Sequence, residues 1–272
     1  MPAADPELVR DSALLTDAVR EAGALALRMF RTELRQWIKG KSSPVSEADM
    51  AVDELLKDRL TSAAPNYGWL SEETADDRTR LERRRVWIVD PIDGTRAYLA
   101  GRDDWSVSAA LVEDGQPLLG AVFAPRTEEF FFARRGEGAR RNGERIAVAP
   151  GTSFDVNRMS GPKFLLDRVR GTPSEEAYSK IGSLALRLSR VAEGRLDAAF
   201  AGGNSRDWDL AAAHLLLGEA GGAMTTLQGE GLIFNRPEVA HQVLVAAGHA
   251  RHQQLLQVFK QEVFKQDVFK QA

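Results

Sequence analysis

Cysteine is absent from the 272-residue chain. Disulfides, thiolate metal sites and cysteine nucleophiles are thereby excluded. Histidine is scarce. His214, His241, His249 and His252 are the only four, and none falls in an H-E-x-x-H pattern. They read as surface or satisfied core residues rather than zinc ligands. Neither sign of charge dominates, with 36 basic residues against 39 acidic ones and a net charge of −3. Such a chain has no broad face for neutralising phosphate backbones, so no nucleic-acid polymer is expected as a partner. No apolar run approaches the ~18 residues of a membrane span. The opening MPAADPELVR has neither the basic nor the apolar region of a secretory signal. A soluble, cytoplasmic protein without a membrane partner is the expectation. Its 43% hydrophobic content is ordinary and supplies a real core.

What is present falls into two grammars. DPELVRDSALLTDAVREAGALALRMF opens with Asp5 as N-cap and Pro6 at the first helical position. Leu8, Leu15, Ala18, Val19, Ala22 and Leu25 then recur at helical spacing. A second helix starts near Ser46 and ends at Pro65, and YGWLSEE is a short strand entering a loop. From residue 86 the period changes. WSVSAALV alternates, with Val107, Ala109 and Leu111 on one face; EDGQ turns the chain into PLLGAVFAP. EEFFFARRGEGARRNGERIAV adds strands broken by glycines and an Asn142-Gly143 turn. Residues 1–150 thus form helices on a largely antiparallel sheet. In residues 151–272, helices (GSLALRLSRVAEG, DWDLAAAHLLLGEAGG) alternate with strands (LDAAFAG, HQVLVAAG) and a C-terminal helix follows, an α/β half. One compact unit is expected. The tail repeats V-F-K-Q at a period of five, which spirals Phe259, Phe264 and Phe269 around a helix. It is read as a duplication of little functional weight.

The chemistry lies in carboxylates. In VWIVDPIDGTRAY, four apolar residues from Val86 to Val89 run into Asp90, Pro91, Asp93, Gly94 and Thr95. Two acids at the end of a core strand need a cap, a base or a metal. Pro91 removes a donor and stiffens the turn, while Gly94 and Thr95 offer N–H groups to an anion. Asp49, Glu72 with Glu73, and Asp209 also stand out. Singly, each has a plain reading. Asp49 closes a capping box with Ser46, Glu73 is a solvated loop acid, and Asp207 or Asp209 is a helix N-terminal charge. Arg83, Arg84 and Arg85 are a solvated run. Together the acids describe oxygen ligands for Mg²⁺ beside an anion-binding turn, a metal-assisted phosphoryl site. Competing motifs fail. KGKSS lacks the P-loop's leading glycine, because the position five before Gly40 is Arg35, and GEGARRNG lacks the dinucleotide spacing. IDGT resembles part of a haloacid-dehalogenase-type phosphatase motif, but the nucleophile would fall on Pro91, which has no nucleophilic side chain.

WIVDPIDGTRAY also resembles the W-[IVL]-x-D-P-[IL]-D-G-T signature of the inositol monophosphatase superfamily. DWDLAAAHLLLGEAGGAMT resembles its second signature, and PVSEADMAVDELL and YGWLSEE resemble its upstream segments, in family order across residues 42–224. The resemblance implies an α/β fold, a layered αβαβα sandwich with an antiparallel-sheet half and an α/β half. It implies a homodimeric, Mg²⁺-dependent hydrolase of a small phosphorylated metabolite that uses water and forms no phosphoenzyme. By resemblance, Glu72, Asp90 and the carbonyl of Ile92 would hold one metal, and Asp90, Asp93 and Asp209 a second. Asp49 would support a third or order its waters. Thr95 would help Glu72 orient the attacking water. The N–H groups of Gly94 and Thr95 would cradle the phosphate, and Gly182, Ser183 and Arg206 would face the leaving group. The stretch AGGNSR before Trp208 lacks the acid with which inositol-cleaving members reach the ring. VEDGQPLLGAVFAP and GSLALRL resemble bacterial 3'(2'),5'-bisphosphate nucleotidases, whereas GEGARRNGERI resembles the inositol branch. The nucleotidase is favoured, with inositol-1-phosphate or histidinol-phosphate phosphatase as alternatives. A binding or regulatory protein derived from the family would have lost a metal carboxylate. All six matching acids, Glu73 included, are present.

Overall fold

The computed structural model describes residues 5–39, 43–171 and 180–269, with residues 43 and 261–269 as backbone. Helix α1 (Pro6–Met29) is capped by Asp5, which accepts from the Glu7 N–H at 3.0 Å. A hairpin of β1 (Gln36–Lys39) and β2 (Ser43–Ser46) leads directly into α2 (Glu47–Ala63), capped at Ser46. Then come β3 (Gly68–Ser71), β4 (Arg85–Asp93), the single turn α3 (Thr95–Leu99) and β5 (Ser106–Glu113). They are followed by β6 (Gln116–Ala124), β7 (Glu129–Arg134), β8 (Ala139–Arg141) and β9 (Glu144–Arg145). Strands β3 to β9 form one sheet in chain order, antiparallel except for the β3–β4 pair. The β8–β9 turn places Asn142 and Gly143 at φ 51° and 88°, the left-handed pair a two-residue hairpin needs.

The chain continues through β10 (Met159–Ser160), α4 (Lys163–Arg170), α5 (Leu184–Ala192), β11 (Ala198–Ala201) and α6 (Asp207–Glu219). It ends with β12 (Gly222–Thr226), β13 (Leu244–Gly248) and α7 (His249–Phe269). The second sheet has the order β10-β11-β13-β12, and only β10–β11 is parallel.

Five layers result. Leu15, Val19, Leu56 and Leu60 of α1 and α2 pack on Trp87, Val89, Val107 and Leu111. The opposite face of that sheet, with Ile88, Ala110, Val112 and Val122, meets Leu186 and Leu188 of α5 and Leu210 and Leu216 of α6. The far side of these helices joins Ala199, Ala201, Leu244 and Ala246 of the second sheet. Leu165, Leu255 and Phe259 cover that sheet's outer face. Helix α6 buries Leu210, Ala211, Ala212, Ala213, Leu215, Leu216 and Leu217, an almost wholly apolar surface suited to a helix between two sheets. No helix among the described residues is long and apolar enough to cross a membrane.

Val107, Ala109 and Leu111 share one face of β5 as expected, and Ala110 and Val112 on the other face are equally buried, each set under its own helix layer. Other expectations change here. Arg85 is not a solvated residue. It bonds Glu7 at 2.7 Å, Tyr67 at 2.8 Å and Glu113 at 2.9 Å, tying α1 to the sheet. Phe259, given little weight as part of a repeat, is 3% exposed and packs edge-on to Phe200 at 5.7 Å. The side chains of Phe264 and Phe269 lie outside the described residues.

Candidate active site

Asp90 and Asp93 are an odd number of residues apart, so on a regular strand they would leave by opposite faces. The register of β4 on β5 prevents this. Asp90 pairs with Ser108 and Asp93 with Ser106, so three steps on β4 answer two on β5. The extra residue is a bulge at Pro91–Ile92, and it turns both acids toward the α5–α6 layer. A proline is tolerated there because the bulge breaks the ladder anyway.

Asp93 meets the start of α5. Its Oδ2 accepts from Ser183 Oγ and from the Ala185 N–H, both at 2.6 Å. Asp209 is the third residue of α6 and uses Oδ2 to accept the Arg206 N–H at 2.6 Å. Glu72 follows β3, with its N–H on the Val89 carbonyl at 3.2 Å. Glu72, Asp90 and Asp209 each offer an oxygen, and these three oxygens lie within 4.8 Å of one another. They line a cavity of about 210 Å³ together with Pro44, Asp93, Gly94, Thr95, Arg96 and Gly182. A larger hollow of about 580 Å³ is lined by residues of α2 alone and gathers no acids from other elements.

Asp49 closes the capping box read for it and also reaches the site. Its Oδ2 accepts from the Ser46 N–H at 2.8 Å and Ser46 Oγ at 2.6 Å, the capping box. Its Oδ1 faces the site and accepts from Thr95 Oγ1 at 3.1 Å, a hydroxyl shared with the Ile92 carbonyl at the same distance. Gly94 holds φ +93°, and a Cβ there would stand 2.9 Å from the Ser183 nitrogen, so only glycine fits this turn.

Burial comes first in raising every acid of the cluster. Asp90 is held well above the carboxylate range by burial and then by the charges of Glu72 and Asp93. Asp209 is raised by burial and by Asp93. Asp93 is raised by burial against the opposing bond from Ser183. Glu72 is pushed up to about 7 by burial and by Glu73 beside it, with Lys39 opposing. Lys39 pairs with Glu73 at 3.2 Å and also donates to the Glu72 carbonyl. Asp90 Oδ1 is buried and has no hydrogen-bond partner among the described residues. An orphaned carboxylate oxygen within an all-oxygen, mutually repelling set fits a hard divalent cation.

The residues expected at the leaving group divide. Gly182 lines the cavity, and its N–H is held by the Asp104 carboxylate at 2.5 Å. Ser183 is fully buried, and its hydroxyl serves Asp93 and the Leu186 N–H, so it acts through Asp93 and not from the cavity wall. The Arg206 side chain is 42% exposed and stands 3.5 Å from Glu238. Glu73, expected to be solvated, is 4% exposed beside Lys39. Lys39 and Ser106, which is 2.9 Å from Ser183 Oγ, had no local signal, because a hairpin and a cross-strand register bring them in.

An oxygen-only cluster at strand and helix ends, on this layered fold, defines the class: a metal-dependent phosphoric monoester hydrolase. Residues 9–263 match the model of the inositol monophosphatase family, and the chain belongs to that family. It is 33% identical to the inositol-1-monophosphatase of Rhizobium meliloti, over 80% of this chain and 86% of that protein. It is 29% identical to the 3'(2'),5'-bisphosphate nucleotidase CysQ of Aggregatibacter actinomycetemcomitans, over 88% and 91%. Among solved structures, the extragenic suppressor protein suhB of Bartonella henselae superposes with a TM-score of 0.80 at 28% identity, covering 91% of this chain and 97% of that one.

Proposed function

We propose that the chain is a Mg²⁺-dependent phosphatase whose preferred substrate is a 3'(2'),5'-bisphosphate nucleotide. The observation that carries the substrate is the loop between β11 and α6. From Gly202 to Arg206 it holds two glycines, no acid and one arginine. A Cβ on Gly202 or Gly203 would meet nothing nearer than 3.8 Å, so the loop leaves room. A carboxylate there would accept from inositol hydroxyls and repel a second phosphate. At ~4 Å and an effective dielectric of ~20, one unit-charge repulsion is about 4 kcal/mol before screening. A third of that is about a tenfold preference. The likeness to both a nucleotidase and an inositol-1-monophosphatase is compatible with either substrate, and the loop supports the nucleotidase reading.

In this reading Glu72, Asp90 and the Ile92 carbonyl would hold one Mg²⁺ and Asp90, Asp93 and Asp209 a second, and Asp49 would support a third or order its waters. Bound there, the ions supply the positive charge that acidifies water and neutralises phosphate oxygens. The chain's own groups do the orienting. Thr95 Oγ1, fixed between Asp49 and Ile92, works with Glu72 to aim the attacking water along the ester bond. The N–H groups of Gly94 and Thr95 face the phosphate. Ser183 and Ala185 hold Asp93 still.

The test compares kcat/KM for adenosine 3',5'-bisphosphate and inositol 1-phosphate, with and without Mg²⁺. The bisphosphate is expected to be cleaved better, only with Mg²⁺, and Gly202→Glu to shift the ratio toward inositol 1-phosphate. A wild-type preference of about tenfold or more for inositol 1-phosphate overturns the substrate assignment.

A further inference from the structure

Asp53 lies one turn beyond Asp49 on α2 and is 4% exposed. Both of its oxygens are spent on a loop outside its helix. Oδ1 accepts from Ser71 Oγ, and Oδ2 accepts from Thr74 Oγ1 at 2.6 Å. Ser71 and Thr74 bracket Glu72 and Glu73. Ser71 Oγ in turn accepts from the Glu73 N–H at 3.3 Å, and Thr74 Oγ1 accepts from the Trp69 indole N–H at 3.2 Å. One buried carboxylate thus ties down both ends of the turn that carries the two glutamates.

We propose that Asp53 is a positioning residue that presets Glu72 for a divalent cation. Residues four apart share a helix face, so α2 presents Asp49 and Asp53 side by side. Asp49 fixes Thr95 after β4, and Asp53 fixes the acid turn after β3. A single rigid helix therefore sets the spacing of the two arms of the site. The repulsion among Glu72, Glu73 and Asp93 pushes an unanchored turn outward, and a turn that must be reordered on binding weakens the affinity. Ser71 and Thr74 supply the hydroxyl donors that let Asp53 be buried without adding another unpaired charge. The inference rests on the metal reading of the Glu72 cluster and not on the substrate.

The experiment uses full-length Asp53→Ala, Asp53→Asn and, as a reference, Asp90→Asn. Chelator-treated proteins are titrated calorimetrically with Mg²⁺ alone, and amide exchange at residues 71–74 is followed without metal. The alanine variant is expected to bind Mg²⁺ about 10- to 100-fold more weakly, with faster exchange at the Glu73 amide before any metal is added. Asparagine accepts one hydroxyl and donates to the other, and is expected to restore affinity to within about threefold. Thr74→Val, which removes one bond while keeping the side-chain shape, covers the case in which Asp53→Ala does not fold; there the expected loss is about threefold or more. The proposal is overturned if these variants bind Mg²⁺ within about twofold of wild type while Asp90→Asn does not. It is also overturned if alanine and asparagine lose affinity equally. If Asp90→Asn binds as wild type does, the cluster is not the Mg²⁺ site, and the metal reading fails with it.

Discussion

Ser183 spends its hydroxyl on Asp93 while its nitrogen sits against the Gly94 turn, so it joins two parts of the site without facing the cavity. Ser183→Ala is accordingly expected to lower kcat by about 10- to 100-fold through a looser Asp93, and to cost about 1 kcal/mol of stability through the lost α5 cap. Steady-state kinetics separates this from a leaving-group contact, which would raise KM and leave kcat alone. The acids themselves were legible in the sequence, because Asp90 and Asp93, Glu72 and Glu73, and Asp209 fall in contiguous motifs. Their supports were not. Ser106 reaches Ser183 through cross-strand register, and Asp53 reaches Ser71 and Thr74 across two elements. Neither relation has a local pattern.

Among the elements, β4 with its bulge and the Gly94 turn makes the largest demand on backbone geometry. Gly94→Ala forces a side chain into φ +93° and against the Ser183 nitrogen, at about 1–3 kcal/mol. Denaturant unfolding should show that loss together with a fall in turnover; a variant with wild-type stability would mean the turn adapts. Long periodic elements such as α1, α2 and α6 were readable from spacing. The β1–β2 hairpin was not, since QWIK is exposed throughout and SPVS carries a proline. The five-residue period of the tail hides a first phenylalanine, Phe259, that packs under the second sheet. Phe259→Ala should cost about 3 kcal/mol, whereas truncation after residue 261 should leave melting temperature and activity unchanged. Equal melting points for Phe259→Ala and wild type would contradict the packing seen for α7.

For the whole molecule, the acid cluster makes stability depend jointly on pH and Mg²⁺. Glu72 rises from an ordinary 4.5 to about 7, and Asp90 and Asp209 shift the same way. Between those values the folded metal-free chain keeps a proton that the unfolded chain has lost. This contribution is complete below about pH 4.5 and is lost as pH rises through about 7. Burial pushes His214 down from 6.5 to about 4, which favours the fold in the opposite direction, with stability rising from about pH 4 to 6.5. His214 lies outside the cluster and acts alike with and without metal, so it cancels in a difference. The gain in melting temperature on adding Mg²⁺ should therefore be larger near pH 8 than near pH 5; equal gains would mean that protons and the ion do not compete. The layer of α5 and α6 has a further consequence. Because these helices fill the core of both sheets at once, neither sheet can come away without stripping the other. Heating should give one absorption peak whose calorimetric and van't Hoff enthalpies agree, and a polypeptide split between the two sheets should regain its structure only when both pieces are mixed.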